Sequence, residues 1–251
     1  MQTSVSGRRI TLEVCVTTVE EALVAVAGGA DRLELCSALE VGGLTPSPAT
    51  FLEARAAVTV PLYVLLRPRP GWFSYPHRVW ATIRRDADWF LAHGAHGVVG
   101  GVLDGAANGE VKLHRDRCRE LVHASGGRMV LHRCFDFLPD LAEGLGLAID
   151  VGVERVLTSG GAPSAIGGAA VIRDLIRRAA GRIEVLPGGG IHRENVAELV
   201  ATTGCDQVHG SFRSAGPDVR HPLAGSMGRE AMTDADKVAA VRAELDRLTG
   251  G

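Results

Sequence analysis

The chain alternates between two hydrophobic periods along almost its whole length. Short apolar runs rich in β-branched residues are each followed by a loop and then by a longer segment with helical spacing of its apolar residues. The predicted strands are Ile10–Val16, Arg32–Cys36, Leu62–Leu66, Gly97–Val102, Met129–His132, Arg155–Leu157, Ile183–Leu186 and Gln207–Val208. The predicted helices lie at about 18–28, 48–57, 78–93, 114–125, 139–150, 163–180, 192–203 and 233–248.

Eight β-α units in 251 residues predict a (β/α)8 TIM barrel of the α/β class. An open doubly wound sheet is the main alternative, but it usually has fewer units, and no G-x-G-x-x-G motif follows the first strand. No linker-like stretch interrupts the pattern. We therefore expect a single TIM-barrel domain over 1–251, with the barrel at about 10–248 and a long Gly- and Pro-containing loop at 214–229 before the last helix.

The amino-acid composition narrows the class of protein further. Glycine supplies 32 of the 251 residues, which is roughly twice its usual share, but no Gly-X-Y period accompanies it. An apolar content of 46% with 22% charged residues is enough to form a full core, so intrinsic disorder is excluded. Part of the glycine surplus follows predicted helices, as at Gly94, Gly152 and Gly204, where a left-handed C-cap is expected.

Charge and cysteine usage bear on partners and location. The formal net charge is −2 and the basic residues are scattered, which argues against nucleic-acid binding. Neither a signal peptide nor a run of about 18 apolar residues occurs, so we expect no membrane partner. The five cysteines are widely spaced and contain no CxxC pair. This argues against a disulfide framework and favours a reduced, cytoplasmic setting.

Polar residues at predicted strand ends are the first candidates for chemistry, because the active site of a barrel is built at the carboxyl ends of its strands. Glu13 and Cys15 end the first strand, and Glu34 and Cys36 end the second. The i, i+2 spacing directs both members of each pair to the same face. We expect two carboxylates and two thiols to converge at similar height, although buried cysteines are often only small hydrophobic residues.

Arginine and histidine follow two further strands. Arg67 and Arg69 leave the third strand and suit carboxylate or phosphate oxygens, although pairing with Glu13 or Glu34 is an equal alternative. His132 ends the fifth strand and is the best general acid or base, unless it is a satisfied core histidine. Asp136 follows it in the same loop.

Glycine-rich loops follow the last three strands. Glycine lets backbone N–H groups approach an anion closely, and barrel enzymes often bind phosphate with the loops after strands seven and eight. Tight turns are the alternative explanation. The candidate phosphate-binding residues are Ser159, Gly160, Gly161, Gly188, Gly189, Gly190, His209, Gly210 and Ser211.

Two reaction classes are excluded. The chain has only two lysines, Lys112 and Lys237. Neither ends a strand, so a Schiff-base aldolase is rejected. The G-x-S-x-G elbow of a serine hydrolase is also absent.

The ordered motifs resemble those of the CutC family over roughly residues 10–248. They are Leu12-Glu13-Val14-Cys15-Val16, Gly28-Gly29-Ala30-Asp31-Arg32-Leu33-Glu34-Leu35-Cys36, Gly42-Gly43-Leu44-Thr45-Pro46-Ser47, Arg67-Pro68-Arg69, His132-Arg133 with Phe135-Asp136, Leu157-Thr158-Ser159-Gly160-Gly161, Pro187-Gly188-Gly189-Gly190 and His209-Gly210-Ser211. The resemblance implies a cytosolic copper homeostasis protein with a TIM-barrel fold, in which Cys15 and Cys36 are the suggested Cu(I) ligands. Cys134 departs from the family pattern, where a small residue is common, and so does the continuation Pro70-Gly71-Trp72-Phe73.

Three functions follow from these observations. Copper handling rests on the resemblance and on the preference of Cu(I) for sulfur. An isomerase- or lyase-type enzyme acting on a small phosphorylated or anionic metabolite uses more of the polar inventory, with Glu13, Glu34, His132 and Asp136 as acid/base candidates. A binding or scaffolding module is the third. The aromatic cluster Trp72, Phe73, Tyr75 and Trp80 suits either a homo-oligomer contact or a lid over the mouth.

Overall fold

Eight parallel strands form one sheet that nearly closes on itself, as a computed structural model of residues 9–105, 109–216 and 231–250 describes it. The strands are β1 Thr11–Val16, β2 Arg32–Leu35, β3 Leu62–Leu65, β4 Gly97–Gly100, β5 Met129–Leu131, β6 Arg155–Thr158, β7 Glu184–Pro187 and β8 Gln207–Gly210. The sheet order is β8-β1-β2-β3-β4-β5-β6-β7, and a parallel bridge between Gly188 and His209 links the two edge strands. The predicted TIM barrel is confirmed.

A helix follows each strand and packs outside the sheet. The helices are α1 Val19–Ala27, α2 Pro48–Ala57, α3 His77–Ala92, α4 Arg115–Ala124, α5 Leu141–Val151, α6 Ala169–Ala179, α7 Arg193–Thr203 and α8 Ala235–Thr249. The sequence predicts each of them, but α6 begins six residues later than expected because 163–168 form turns. Among the described residues, no helix is both long and apolar enough to cross a membrane.

Local capping explains where several helices begin and end. The Thr18 and Asp140 side chains accept backbone N–H groups at the first turns of α1 and α5, which satisfies donors that the helix leaves free. Gly152 ends α5 with a φ of +88°. Such a left-handed C-cap favours glycine, as the sequence predicts.

Two short hairpins interrupt the regular pattern. Leu103–Asp104 pairs with Lys112–Leu113, and Arg213–Ala215 pairs with Ala231–Thr233. The second hairpin alters the loop expected at 214–229, because Ser214 and Ala215 belong to a strand. Residues 217–229 of that expected loop lie outside the described residues.

The barrel has two apolar layers. The larger lies between the sheet and the helices. The smaller lies inside the barrel and consists of Cys15, Cys36, Tyr63, Leu65, Val99, Val130, Leu157 and Leu186. Because the inner layer fills the middle of the barrel, the polar side chains at the carboxyl ends of the strands surround an open mouth above it.

Candidate active site

The register between β1 and β2 sets the positions of the strand-end carboxylates. Glu13 lies opposite Arg32, and Cys15 lies opposite Glu34. The similar sequences of the two strands predict that Glu13 lies opposite Glu34. The observed pairing differs from this by two residues, because the strands of a closed barrel are staggered. As a result, Glu34 sits one layer nearer the mouth than Glu13.

Glu13 is a buried carboxylate with a complete set of partners. Its Oε2 pairs with Nε of Arg32 and lies 4.0 Å from Nη1 of Arg155. Its Oε1 bonds Nδ1 of His209 at 2.8 Å, which the register places beside it on β8. Burial raises the pKa of Glu13, but Arg32, His209 and Arg155 outweigh burial and hold the pKa well below its usual range.

Glu34 is equally buried but has a different environment. Its Oε2 lies 3.9 Å from Nδ1 of His209 and has no hydrogen-bond partner among the described residues. Burial, helped by the charge of Glu13, raises the pKa of Glu34 to about 7. The two carboxyl groups therefore differ in protonation near neutral pH, which is the arrangement that assigns separate roles to paired acids.

His209 connects the two carboxyl groups. Burial lowers its pKa, but the hydrogen bond to Glu13 and the charges of Glu34 and Glu13 raise it overall. One ligand atom from each of Glu13, Glu34 and His209 lies within 4.8 Å of the others, so this cluster offers ligands to a metal. Arg32 and Arg155 beside Glu13 oppose a cation at this position.

The two strand-end cysteines are in contact inside the barrel. Their Sγ atoms are 3.2 Å apart, and both residues are free thiols. The hydrogen bond to Cys36 and burial raise the pKa of Cys15 well above its usual value. Two sulfurs at this separation subtend an angle of roughly 90° at a metal about 2.3 Å from each. A linear S–Cu–S arrangement would thus require them to move apart.

A cavity of about 230 Å³ opens above this cluster. Cys15 and Glu34 lie among its lining residues, as does His132 from the end of β5. The ring of His132 packs at a tilt against that of Phe73, with ring centroids 4.9 Å apart. Burial lowers the pKa of His132 to about 4, so its imidazole is neutral at pH 7.

The tautomer of His132 follows from its hydrogen bond. Its Nδ1 accepts the backbone N–H of Cys134 at 3.2 Å, so the proton of the neutral ring is on Nε2. Within the described part of the chain, that Nε2 has no partner. His132 can therefore donate a hydrogen bond without being charged.

The two arginines after β3 have separate positions. Arg67 lines the cavity, and its guanidinium donates to the carbonyls of Val41, Gly43 and Gly71. Arg69 donates instead to carbonyls of its own loop and does not line the cavity. Neither pairs with Glu13 or Glu34, so the predicted alternative of an ion pair with these glutamates is wrong.

In the glycine-rich loop after β6, the backbone amides donate hydrogen bonds to acceptors within the protein. The N–H groups of Ser159 and Gly161 donate to Asp136, and that of Gly160 donates to Oγ1 of Thr158. The N–H of Gly188 donates to the carbonyl of Thr158. Four of the predicted phosphate-binding amides are therefore occupied within the protein.

The amides of Gly189 and Gly190 are in a different situation. Neither has a protein acceptor in the described ranges, and both residues line the cavity, together with His209, Gly210 and Ser211. Gly189 has a φ of +110°, a conformation open to glycine alone in practice. Two N–H groups without a protein acceptor among the described residues therefore belong to residues that line the cavity.

Arg133 is a charged lining residue that was not among the candidates predicted from the sequence. Its Nε donates to Oδ2 of Asp136 at 2.9 Å, and its Nη2 donates to Oγ of Ser159 at 2.6 Å. Asp136, a candidate acid/base residue, holds this arginine and the β6 loop and does not line the cavity. The sequence signals for Arg133 were its place next to His132 at a strand end and its occurrence in the His132-Arg133 motif.

Comparison with known proteins identifies the family. A model of the CutC family matches residues 10–214. A CutC family protein of Rhizobium meliloti is 43% identical over 242 residues, covering 95% of this chain and 97% of that protein. The chain belongs to the CutC family. A CutC family protein of Caulobacter vibrioides is 44% identical over 226 residues, covering 89% of this chain and 90% of the relative.

Solved structures support the fold. A Streptococcus agalactiae protein described as a copper homeostasis protein CutC has a TM-score of 0.74 and 28% identity, covering 80% of this CutC family chain and 98% of that one. N-(5'-phosphoribosyl)anthranilate isomerase from Pyrococcus furiosus has a TM-score of 0.57 and 14% identity, covering 95% and 99% of the two chains. At that identity the likeness shows the barrel fold alone.

Proposed function

We propose that this CutC family protein is an isomerase- or lyase-type enzyme that transfers a proton on a small phosphorylated or otherwise anionic metabolite. The observation that carries the proposal is the state of Glu34. It is a buried carboxyl group at the foot of a cavity, with an oxygen that has no partner among the described residues. Its pKa of about 7 suits a general acid or base at neutral pH.

The neighbouring residues complete an acid–base site. Glu34 takes a proton from a carbon next to a carbonyl group, which leaves an enolate, and its carboxyl group then returns a proton to that enolate. His132, neutral with its proton on Nε2, donates a hydrogen bond to the carbonyl oxygen as negative charge develops there. Glu13 stays ionised and fixes the ring of His209.

The anionic part of the substrate has a place at the same mouth. Gly189 and Gly190 offer free amides, and Arg67 lines the cavity without a carboxylate within 4 Å in the described residues. The positive charge of a guanidinium in a partly dry cleft attracts an anion. Together, these features favour a phosphorylated or carboxylated metabolite.

Copper handling is the second candidate, because the family resemblance implies it and one contact favours it. The Sγ atoms of Cys15 and Cys36 lie 3.2 Å apart, and Cu(I) prefers sulfur ligands. Binding would require the buried thiols to lose their protons and move apart. The five free cysteines suit a cytosolic location in either case.

A thermal-shift screen separates the two functions. Purified protein is heated with sugar phosphates, with Cu(I) or with Zn(II). A ligand at about 100 times its Kd should raise the unfolding midpoint by roughly 5 °C or more. We expect this response with one or more sugar phosphates. A response to Cu(I) alone would support copper handling, and no response to any ligand would favour a scaffolding module.

A further inference from the structure

We propose that Arg133, together with the amides of Gly189 and Gly190, forms the seat for a phosphate dianion, and that Asp136 and Ser159 are positioning residues for Arg133. This inference deepens the proposed function, on which it rests, because it names the group of the substrate that is recognised and the residues that bind it.

The guanidinium of Arg133 is fixed along one edge only. Nε and Nη2 are bonded to Asp136 and Ser159, while Nη1 has no acceptor among the described residues. Arg133 lines the cavity, and its side chain is 43% exposed. An arginine held in this way loses little conformational entropy when its remaining N–H groups bind an oxyanion.

Gly189 brings the free amides to the same point. A Cβ atom at this position would lie 3.4 Å from Nη1 of Arg133 and 3.5 Å from Cβ of Ser159. The backbone of Gly189 is therefore next to the free edge of the guanidinium. A charged N–H group of Arg133 and the backbone of Gly189 therefore lie side by side, and anion sites are built from such groups.

The assignment accounts for two residues whose expected roles the geometry does not favour. Asp136 was a candidate acid/base residue, but both its oxygens are bonded to Arg133 and the β6 loop. Ser159 was a candidate phosphate ligand, but it is fully buried and its hydroxyl accepts from Arg133. Both residues instead fix the direction in which Arg133 points.

The charge around the seat favours a dianion over a neutral group. The negative charge of Asp136 compensates the positive charge of Arg133. Arg67, which lines the same cavity, has no carboxylate within 4 Å among the described residues. A phosphate carries close to two negative charges and three acceptor oxygens at neutral pH. We therefore expect inorganic phosphate to bind more tightly than acetate.

The test is a titration of ¹⁵N-labelled protein with inorganic phosphate, followed by the amide signals of Gly189 and Gly190. We expect those signals to shift in the wild type. In Arg133→Met, the Kd for phosphate should rise by at least about tenfold. Arg133→Lys, which keeps the charge but loses the planar guanidinium group, should give a smaller rise in the Kd. Arg85→Met is the matched control, since Arg85 is exposed on α3, and should leave the Kd unchanged.

A double variant tests the positioning role. Ser159→Ala alone should weaken phosphate binding, but adding it to Arg133→Met should weaken binding no further, because Ser159 acts through Arg133. A purely structural role would give additive losses. The proposed phosphate site would be contradicted if Arg133→Met bound phosphate with the wild-type Kd. It would also be contradicted if phosphate did not shift the amide signals of Gly189 and Gly190 in the wild type.

The seat and the acid–base function can fail separately. If phosphate binding depends on Arg133 but no proton transfer is found on any phosphorylated compound, the seat stands and the enzyme proposal fails.

Discussion

Two glutamates on neighbouring strands show how strongly the environment decides the chemistry of a residue. Glu13 faces Arg32, Arg155 and His209 and remains ionised. Glu34 sits beside Cys15 in the register, and burial is the largest influence on its pKa. One carboxyl group is therefore a fixed charge, and the other changes protonation near pH 7.

The raised pKa of Glu34 has a consequence for stability. In the unfolded chain the group loses its proton near its ordinary pKa of 4.5, whereas in the folded protein it keeps the proton up to about pH 7. Folding stability must then fall as pH rises between these values and level off above them. The loss has an upper limit of about 3 kcal/mol.

We predict that Glu34→Gln removes this part of the pH dependence. Urea unfolding at pH 5, 6, 7 and 8 should give a flatter profile for the variant than for the wild type. Glu53→Gln, at an exposed position on α2, is the control and should follow the wild type. Parallel profiles for all three proteins would mean that Glu34 titrates normally.

At the level of single residues, the sequence predicted the strand-end groups better than their partners. The i, i+2 spacing identified Glu13, Cys15, Glu34 and Cys36. The spacing could not show that Arg32 would neutralise Glu13, because that depends on the stagger between strands. Nor could it show which arginine keeps a free edge, because hydrogen bonds from distant loops decide this.

At the level of elements, glycine packing controls how close the strands and their side chains approach. Gly97 begins β4, and a Cβ atom there would lie 2.4 Å from the carbonyl oxygen of Arg128 and 2.4 Å from Cε1 of Tyr63. Real Cβ atoms do not come so close, so the neighbouring backbone would have to shift. Position 97 thus requires glycine, because a side chain there would collide with the neighbouring backbone and with the ring of Tyr63 inside the barrel.

We predict that Gly97→Ala destabilises the protein by about 2 kcal/mol or more, because overpacking forces the neighbouring atoms apart. Gly146→Ala is the matched control. Gly146 lies within α5, and nothing lies within 4 Å of its would-be Cβ, so alanine should stabilise the helix by roughly 0.5–1 kcal/mol. Urea unfolding measures both changes, and a neutral Gly97→Ala would contradict the packing argument.

The strands and helices themselves were largely predictable because their hydrophobic periods are distinct. The difference at α6 has a physical reason. Residues 163–168 contain Pro163, Gly167 and Gly168, and they form turns before the helix begins at Ala169. Apolar spacing alone does not detect such a turn when alanine and isoleucine occur within it.

At the level of the whole molecule, the barrel brings Cys15 and the residues that we propose as acid–base groups to one cavity. Cys15 and Glu34 both line the cavity. Copper binding and proton transfer would consequently use neighbouring groups of the same site. The family resemblance implied Cys15 and Cys36 as copper ligands, but it gave no reaction, so the choice of function depends on the geometry of this mouth.

We predict that Cu(I), if it binds, needs both cysteines. Competition with a Cu(I) chelator should give lower affinity for the Cys15→Ser/Cys36→Ser double variant than for the wild type, because two thiolates are then missing. Cys118→Ser/Cys205→Ser, which changes two other buried thiols, is the control. Equal affinity and stoichiometry in all three proteins would exclude Cys15 and Cys36 as ligands.

The most direct test of the acid–base proposal is proton exchange with solvent. The protein is incubated in D₂O with a panel of sugar phosphates, and deuterium incorporation next to the carbonyl carbon is followed by NMR. The wild type should exchange this hydrogen on at least one compound, and Glu34→Gln should slow the exchange by about 10²- to 10⁴-fold. Exchange at equal rates in both proteins, or in neither, would contradict the assignment of Glu34 as the acid–base residue.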